Sequence, residues 1–328
     1  MKVTLLSELE IRSCVGYDRE ALEAVELGFT RLAEGRAFAP PVIAIEIPEY
    51  NGEVDIKTAY IEGLDSFAVK VASGFPDNPA RGLPWGTGMM VLISAETGFL
   101  QALLVDNGYL TELRTGLAGA IAADRLAPEE IDTAGVIGSG SQARHQMRAL
   151  HMVRRFERLL VYGVIAEEVA RYADEMEQEL GVTVEIAPTA EQVVRGSDVV
   201  VTTTPAREPY LAATWLHLGL HVTCMGADMP SKQELFADCL GKADRVVCDR
   251  KSQCLTLGEL HHAVDGGILA EDEVDELGEI TSGAKPGRTS DDQITICDLT
   301  GVGVQDTAIA RLAYRRAIAG GLGKSFGD

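Results

Sequence analysis

Residues 133–144 read TAGVIGSGSQAR, and the reading of this stretch decides the fold. Ala134, Val136 and Ile137 suit a short buried strand, Gly138-x-Gly140-x-x-Ala143 a turn, and Gln142 to Phe156 the helix that follows. Gly138 permits a tight turn, Gly140 lets backbone approach a pyrophosphate, and Ala143 is small enough for the helix to pack closely on the strand. The start of that helix offers free N–H groups and a positive dipole end to phosphates. An ordinary glycine-rich connection would share part of this pattern. Strand, turn and helix in this order point instead to a dinucleotide-binding unit.

Working outward towards the C-terminus, strand-like runs alternate with helical ones. ERLLVYG, VTVEIA, DVVVTTT, HVTCMGA, RVVCD and ITICD are interleaved with AEEVARYADEMEQEL, TAEQVVRGS and SQCLTLGELHHAV. Such alternation predicts an α/β fold built on a mostly parallel, doubly wound Rossmann-type sheet, with ligands beyond the carboxyl ends of its strands. A final helix over Gln305 to Ala319 is free to return to the first part of the chain.

Towards the N-terminus the pattern changes. Asp18 to Ala33 is an amphipathic helix, with Ala21, Leu22, Val25, Leu27, Phe29 and Leu32 on its apolar stripe. After Pro40-Pro41 come VIAIEI, EVDIKTAYI, FAVKVAS, GMMVLIS and FLQALLV, separated by turn signals such as Asn51-Gly52 and Asp77-Asn78-Pro79. These predict an antiparallel sheet in a second, α+β domain, followed by an alanine-rich helix over Leu110 to Leu126. The expected division is 1–126 plus 305–328 against a dinucleotide-binding domain over 127–304.

Charge narrows the partners. Twenty-nine basic residues against fifty acidic ones give a net charge of −21, which repels nucleic acid and anionic membrane and suits salty surroundings. MKVTLLSELEIRS has no apolar core of signal-peptide length, and no later run approaches a membrane span, so a cytoplasmic protein is expected. The six cysteines are scattered, without metal or redox spacing, and no metal site is expected. Adjacent His261 and His262 point about 100° apart on a helix and read as helix surface.

Four polar residues remain as site candidates. Asp228 follows the strand HVTCMGA, where a carboxylate faces the ligand crevice and can act as a general base. Its bland role is to cap the next helix, but Ser231-Lys232-Gln233-Glu234 reads as a capping box that leaves Asp228 without that duty. Arg114 stands near the positive end of its helix, either offset by Glu112 or clamping a substrate carboxylate. Lys70 alternates with Phe67, Val69 and Val71 and shares a strand face with Ala68 and Ala72, which suits a ligand or solvent equally. Lys57 has the same ambiguity.

Together these stretches resemble the ornithine cyclodeaminase and mu-crystallin family over nearly the whole chain. The resemblance is carried by GLPWGTGMMVLISAETG, LTELRTGLAGAIAADRLAP, GVIGSGSQAR, CMGADMPSKQEL, GRTSDDQITICD and LTGVGVQD. EVDIKTAY, DNGYLTELRT, TTTPAREPY and LGELHHA resemble its ectoine-utilisation branch. It implies a homodimer joined through the first domain, a small amino- or imino-acid substrate, and NAD as cofactor. Arg114 and Lys70 would then hold the substrate carboxylate and Asp228 would be catalytic. The cofactor would be held by Thr115, Gly138, Ser139, Gly140, Ser141, Gln142, Thr203, Met225 and Gly226.

The chain departs from the family in three places. PPVIAIEI lacks the arginine that often follows the proline turn, with Lys57 as its candidate replacement, and RTGLAGA lacks a common serine. The strand LLVYG ends at Gly163, where an acid would normally hold the ribose hydroxyls, so NADP stays open, although Glu167 and Glu168 would repel a 2′-phosphate. The chemistry implied is cyclodeaminase-type: oxidation of a small diamino acid at Cα to an imine, cyclisation and loss of ammonia. The alternatives are an imino-acid reductase or amino-acid dehydrogenase, and a nucleotide-binding protein without turnover.

Overall fold

The computed structural model describes residues 2–327. The chain divides into two compact units: the residues up to Arg114 together with those from Val302 onward, and Thr115–Gly301. The first division falls inside a helix, earlier than the expected boundary after residue 126.

The first unit begins with β1 (Val3–Ser7), α1 (Glu8–Cys14) and α2 (Arg19–Ala33), the last capped by the Asp18 carboxylate accepting from the Ala21 N–H at 2.9 Å. Then come β2 (Ala37–Phe38), β3 (Ile43–Ile47), β4 (Gly52–Ile61), β5 (Ser66–Gly74), β6 (Gly86–Ser94), β7 (Leu100–Val105) and α3 (Tyr109–Leu126). Strands β3 to β7 pair antiparallel as the turn signals required, and β1 joins β7 in parallel.

The second unit opens with β8 (Thr133–Ile137), α4 (Ser141–Val153), β9 (Arg158–Tyr162), α5 (Ala166–Leu180), β10 (Thr183–Ile186), α6 (Ala190–Arg195), β11 (Val199–Thr202) and β12 (His221–Cys224). It continues through α7 (Asp238–Lys242), β13 (Arg245–Cys248), α8 (Lys251–Cys254), α9 (Leu260–Asp265), β14 (Val274–Glu276), α10 (Leu277–Thr281) and β15 (Thr295–Asp298). The sheet order is β10-β9-β8-β11-β12-β15-β13-β14, parallel throughout. Strand order therefore reverses between β8 and β11, which makes their carboxyl ends the topological switch point. The inner strands β8, β9 and β11 are buried on both faces, as their continuous Val, Ile and Leu runs required.

The chain ends in α11 (Gly303–Ala319) and β16 (Lys324–Phe326), both in the first unit. Helix α11 packs on α2, β4 and β5. It therefore covers the face of β5 that carries Ala68, Lys70 and Ala72. The opposite face, with Ile43, Ile45, Val69, Val71 and Met89, is only partly buried.

Two segments depart from the sequence expectation. The run SQCLTLGELHHAV is not one helix: it breaks between α8 and α9, where Gly258 turns the chain at φ +77°. No helix starts at Ser231 either. Residues 233–235 are extended, with a parallel bridge between Leu235 and Leu211, so the capping box does not form.

Candidate active site

In the first unit the site is built on α3, α11, β4 and β5. Arg114 Nε donates to Asp306 Oδ1 at 3.0 Å, and Lys70 Nζ lies 3.4 Å from Asp306 Oδ2. Lys70 is 2% exposed, Arg114 5% and Asp306 0%, so this is a buried ion cluster and not a solvated strand face. The anion paired with Arg114 is thus Asp306. Gln305 supports the arrangement, its Oε1 accepting from the Val302 N–H at 2.7 Å and from Arg114 Nη1 at 3.4 Å. Asp306 sits in the first turn of α11, where the macrodipole favours a negative charge.

Lys57 is directly opposite Lys70 in the β4–β5 register and is also buried. Opposed residues of an antiparallel pair share a face, so a third cation joins the cluster. Burial, then the charges of Arg114 and Lys57, hold the Lys70 ammonium down to about 7, and Asp306 works in the other direction. Asp106, which accepts from the Leu110 N–H at 2.7 Å at the start of α3, is pushed up to about 6 by burial. Such a cluster is suited to an acid group presented to Arg114 and Lys70.

In the second unit the glycine loop takes the form the motif required. Gly138 has φ +111°, and a Cβ there would meet Thr203 Oγ1 at 2.5 Å, so the turn after β8 can pass β11 only as glycine. A Cβ on Gly140 would meet nothing within 4 Å, which leaves open space beside the backbone at the start of α4. Gly140 has no capping side chain, so the first N–H groups of the 13-residue α4 keep their capacity for an anion. Arg144 Nη1 holds the carbonyls of Ser139 and Gly140 at 2.6 and 3.1 Å. These residues fit a dinucleotide pyrophosphate, and the fold brings Gly138, Ser139, Gly140, Ser141 and Gln142 together with Thr203. Thr115 is tied to the same helix, its carbonyl accepting from Gln146 Nε2 at 2.9 Å, and Gln146 in turn donates to Gln142. Met225 and Gly226 follow β12, with the Met225 N–H on the Thr202 carbonyl at 3.0 Å.

Asp228 lies two residues further on, half-exposed, with Oδ1 2.6 Å from Lys232 Nζ. Its loop is held by His262, whose Nε2 is 3.3 Å from the Lys232 carbonyl oxygen, and the His261 and His262 ring centroids lie 3.8 Å apart with the rings tilted by 37°. His262 therefore braces the Asp228 loop and is not plain helix surface. Strand β9 ends at Tyr162 and is followed by Gly163, Val164 and Ile165, the last two exposed, before Glu167 and Glu168 in the first turn of α5. Two open grooves along Arg155, Phe156 and Glu157 lie at the opposite, N-terminal edge of the sheet. Among the described residues no group of three or more His, Cys, Asp or Glu side chains could hold a metal ion, and no helix is long and apolar enough to cross a membrane. All six cysteines are free thiols.

Sequence reasoning missed Asp306, Asp106 and Lys232 as parts of these sets. All three stand inside quoted motifs, LTGVGVQD, DNGYLTELRT and CMGADMPSKQEL, which was the available signal.

The chain is 46% identical over 315 residues, 95% of each chain, to an uncharacterized cyclodeaminase of Sinorhizobium fredii. An archaeal alanine dehydrogenase dimer solved with bound NAD superposes with a TM-score of 0.92 at 36% identity, covering 100% of this chain and 99% of that one. The Δ1-pyrroline-2-carboxylate reductase of Thermococcus litoralis, solved with NADH and L-proline, gives a TM-score of 0.93 at 32% identity over 98% and 99%. The model of the ornithine cyclodeaminase/mu-crystallin family matches residues 1–321, and the chain belongs to that family.

Proposed function

We propose that the protein is an NAD-dependent oxidoreductase that interconverts a small 2-imino acid and the corresponding amino acid. The observation that carries this reading is the buried cluster in which Asp306 holds Lys70 and Arg114, an arrangement suited to a carboxylate. When bound, the nicotinamide supplies a hydride to Cα or accepts one from it. Arg114 and Lys70 fix the acid group and so orient the C=N bond. Reduction adds a hydride to carbon and a proton to nitrogen. Asp228, released from Lys232, is the carboxylate that holds this proton. The solved relatives with NAD, and with NADH and L-proline, support the same class of chemistry. Glu167 and Glu168 at the start of α5 favour NAD over NADP by repelling a 2′-phosphate.

The second reading, a cyclodeaminase acting on a diamino acid such as ornithine, is favoured by the 46% identical relative of that name. Lys57, opposite Lys70, weighs against it, because a third cation on that face disfavours the second ammonium of a diamino acid. The first unit is proposed to bind substrate and to form a homodimer. The partly exposed apolar face of its sheet, from Ile43 and Ile45 to Met89, suits a second copy, and the archaeal relative is a dimer.

The test follows product and NADH absorbance together, with Δ1-pyrroline-2-carboxylate, pyruvate plus ammonia, and ornithine. NADH consumed in proportion to amino acid formed supports the reductase. Proline from ornithine without net change in NADH selects the cyclodeaminase, and nucleotide binding without turnover of any of the three leaves a binding protein.

A further inference from the structure

Glu234 is fully buried in the second unit. Its Oε2 accepts from Thr202 Oγ1 at 2.7 Å and from the Gly226 N–H at 2.9 Å. Its Oε1 accepts from the Thr204 N–H and Oγ1, both at 2.7 Å, and from the Tyr210 hydroxyl at 2.9 Å. Two of these residues flank Thr203 and a third follows Met225, the positions expected to touch the nucleotide. One carboxylate thus fixes the backbone after β11 and the backbone after β12.

The donor set demands a carboxylate and not merely a polar group. Each oxygen accepts one backbone N–H, and a backbone N–H cannot reverse its direction as a hydroxyl can. An amide at this position would set its NH2 against either Thr204 or Gly226, whichever way it turned. Burial raises the Glu234 carboxyl, and its hydrogen bonds from Thr202, Thr204 and Tyr210 pull it back. The residue is also anchored from behind. The N–H groups of Glu234 and Leu235 donate to Glu259 at 2.7 and 3.1 Å, and those of Glu259 and Leu260 both donate to Asp298 Oδ2 at 2.9 Å. This relay ties Glu234 to the end of β15, so it cannot follow the loops if they move.

We propose that Glu234 is the positioning residue of the nucleotide site, holding the loops after β11 and β12 in the shape that binds the dinucleotide. The inference rests on the nucleotide-binding reading above. It is tested on the full-length protein by titration with NADH, followed by fluorescence, beside thermal melting and steady-state kinetics. Glu234→Gln weakens NADH binding about tenfold or more and raises the KM for NADH correspondingly. The KM for the imino acid at saturating NADH stays within about twofold, a split that loss of folded protein alone would not produce. Tyr210→Phe and Thr204→Val each remove one hydroxyl donor and leave the backbone donors in place, and each weakens NADH severalfold. A folded Glu234→Gln protein that binds NADH within twofold of wild type overturns the proposal. So does wild-type affinity in both hydroxyl variants, should Glu234→Gln not fold. Wild-type protein that binds neither NADH nor NADPH removes the nucleotide reading itself and the proposal with it.

Discussion

Replacing Asp306 by asparagine removes the negative charge that Arg114 and Lys70 share, while keeping the shape of the side chain. Arg114 Nε lies 3.0 Å and Lys70 Nζ 3.4 Å from the Asp306 carboxylate, and all three groups are nearly inaccessible to water. Breaking a buried pair in this way costs about 3–5 kcal/mol, because the cations stay buried without their counter-charge. For a protein of this size that is a fall in melting temperature of roughly 10 °C. The kinetic consequence is more specific. The Lys70 ammonium is held down to about 7, so the free enzyme loses this positive charge as pH rises through 7. For a carboxylate substrate, kcat/KM should be level below pH 6 and roughly tenfold lower at pH 8. Asp306 is the neighbour that raises Lys70, so in Asp306→Asn the descending limb moves to lower pH. The assay is kcat/KM against pH for wild type, Asp306→Asn and Lys70→Met, with Δ1-pyrroline-2-carboxylate as substrate. A limb at the same pH in Asp306→Asn, or one that survives in Lys70→Met, refutes the assignment of the clamp to this cluster.

Other outcomes follow from the same geometry. Asp228→Asn should lower kcat by roughly 10²–10⁴ while NADH affinity stays near wild type, since the carboxylate is a proton carrier and not a nucleotide contact; unaltered turnover removes that role. Gly138→Ala should abolish NADH binding in a protein that still folds, because a side chain at φ +111° strains the turn and drives into Thr203; retained affinity in a titration would contradict it. Glu167→Gln with Glu168→Gln should narrow the preference for NADH over NADPH severalfold, read from paired titrations. Ile45→Glu with Met89→Glu should convert a dimer into a monomer in sedimentation velocity, since each places a charge on the apolar sheet face.

Legibility in the sequence tracks the range of the forces involved. The glycine loop could be read because its requirements are steric and local: the conformation of Gly138 and the open space at Gly140 are set within a few residues. The doubly wound sheet was equally legible, since strands buried on both faces are continuous apolar runs. Lys70 could be placed on a strand face but not inside the protein, because its cover comes from a helix more than 230 residues later. Asp306 and Arg114 are separated by 192 residues, and no local pattern records such a pair. The failure at Ser231–Glu234 has a different origin. The pattern S-x-x-E fits a helix start, but Tyr210 and Leu211 donate their N–H groups to the Glu234 carbonyl and Leu235 pairs with Leu211, so the segment is drawn out as an edge of β structure.

The two buried carboxylates that sequence reading misplaced or passed over therefore do different physical work, and amide replacement should separate them. Asp306 faces cations, and asparagine can still accept from Arg114 Nε, so the hydrogen bond survives and the charge does not. Its effect should follow the protonation of Lys70 and vary with pH. Glu234 faces only N–H and O–H donors, and glutamine fails there through the direction of its amide protons. That loss should not follow the protonation of Lys70, because none of the groups that donate to Glu234 is a cation. If both variants gave the same pH response, the separation of charge compensation in the first unit from hydrogen-bond geometry in the second would be wrong.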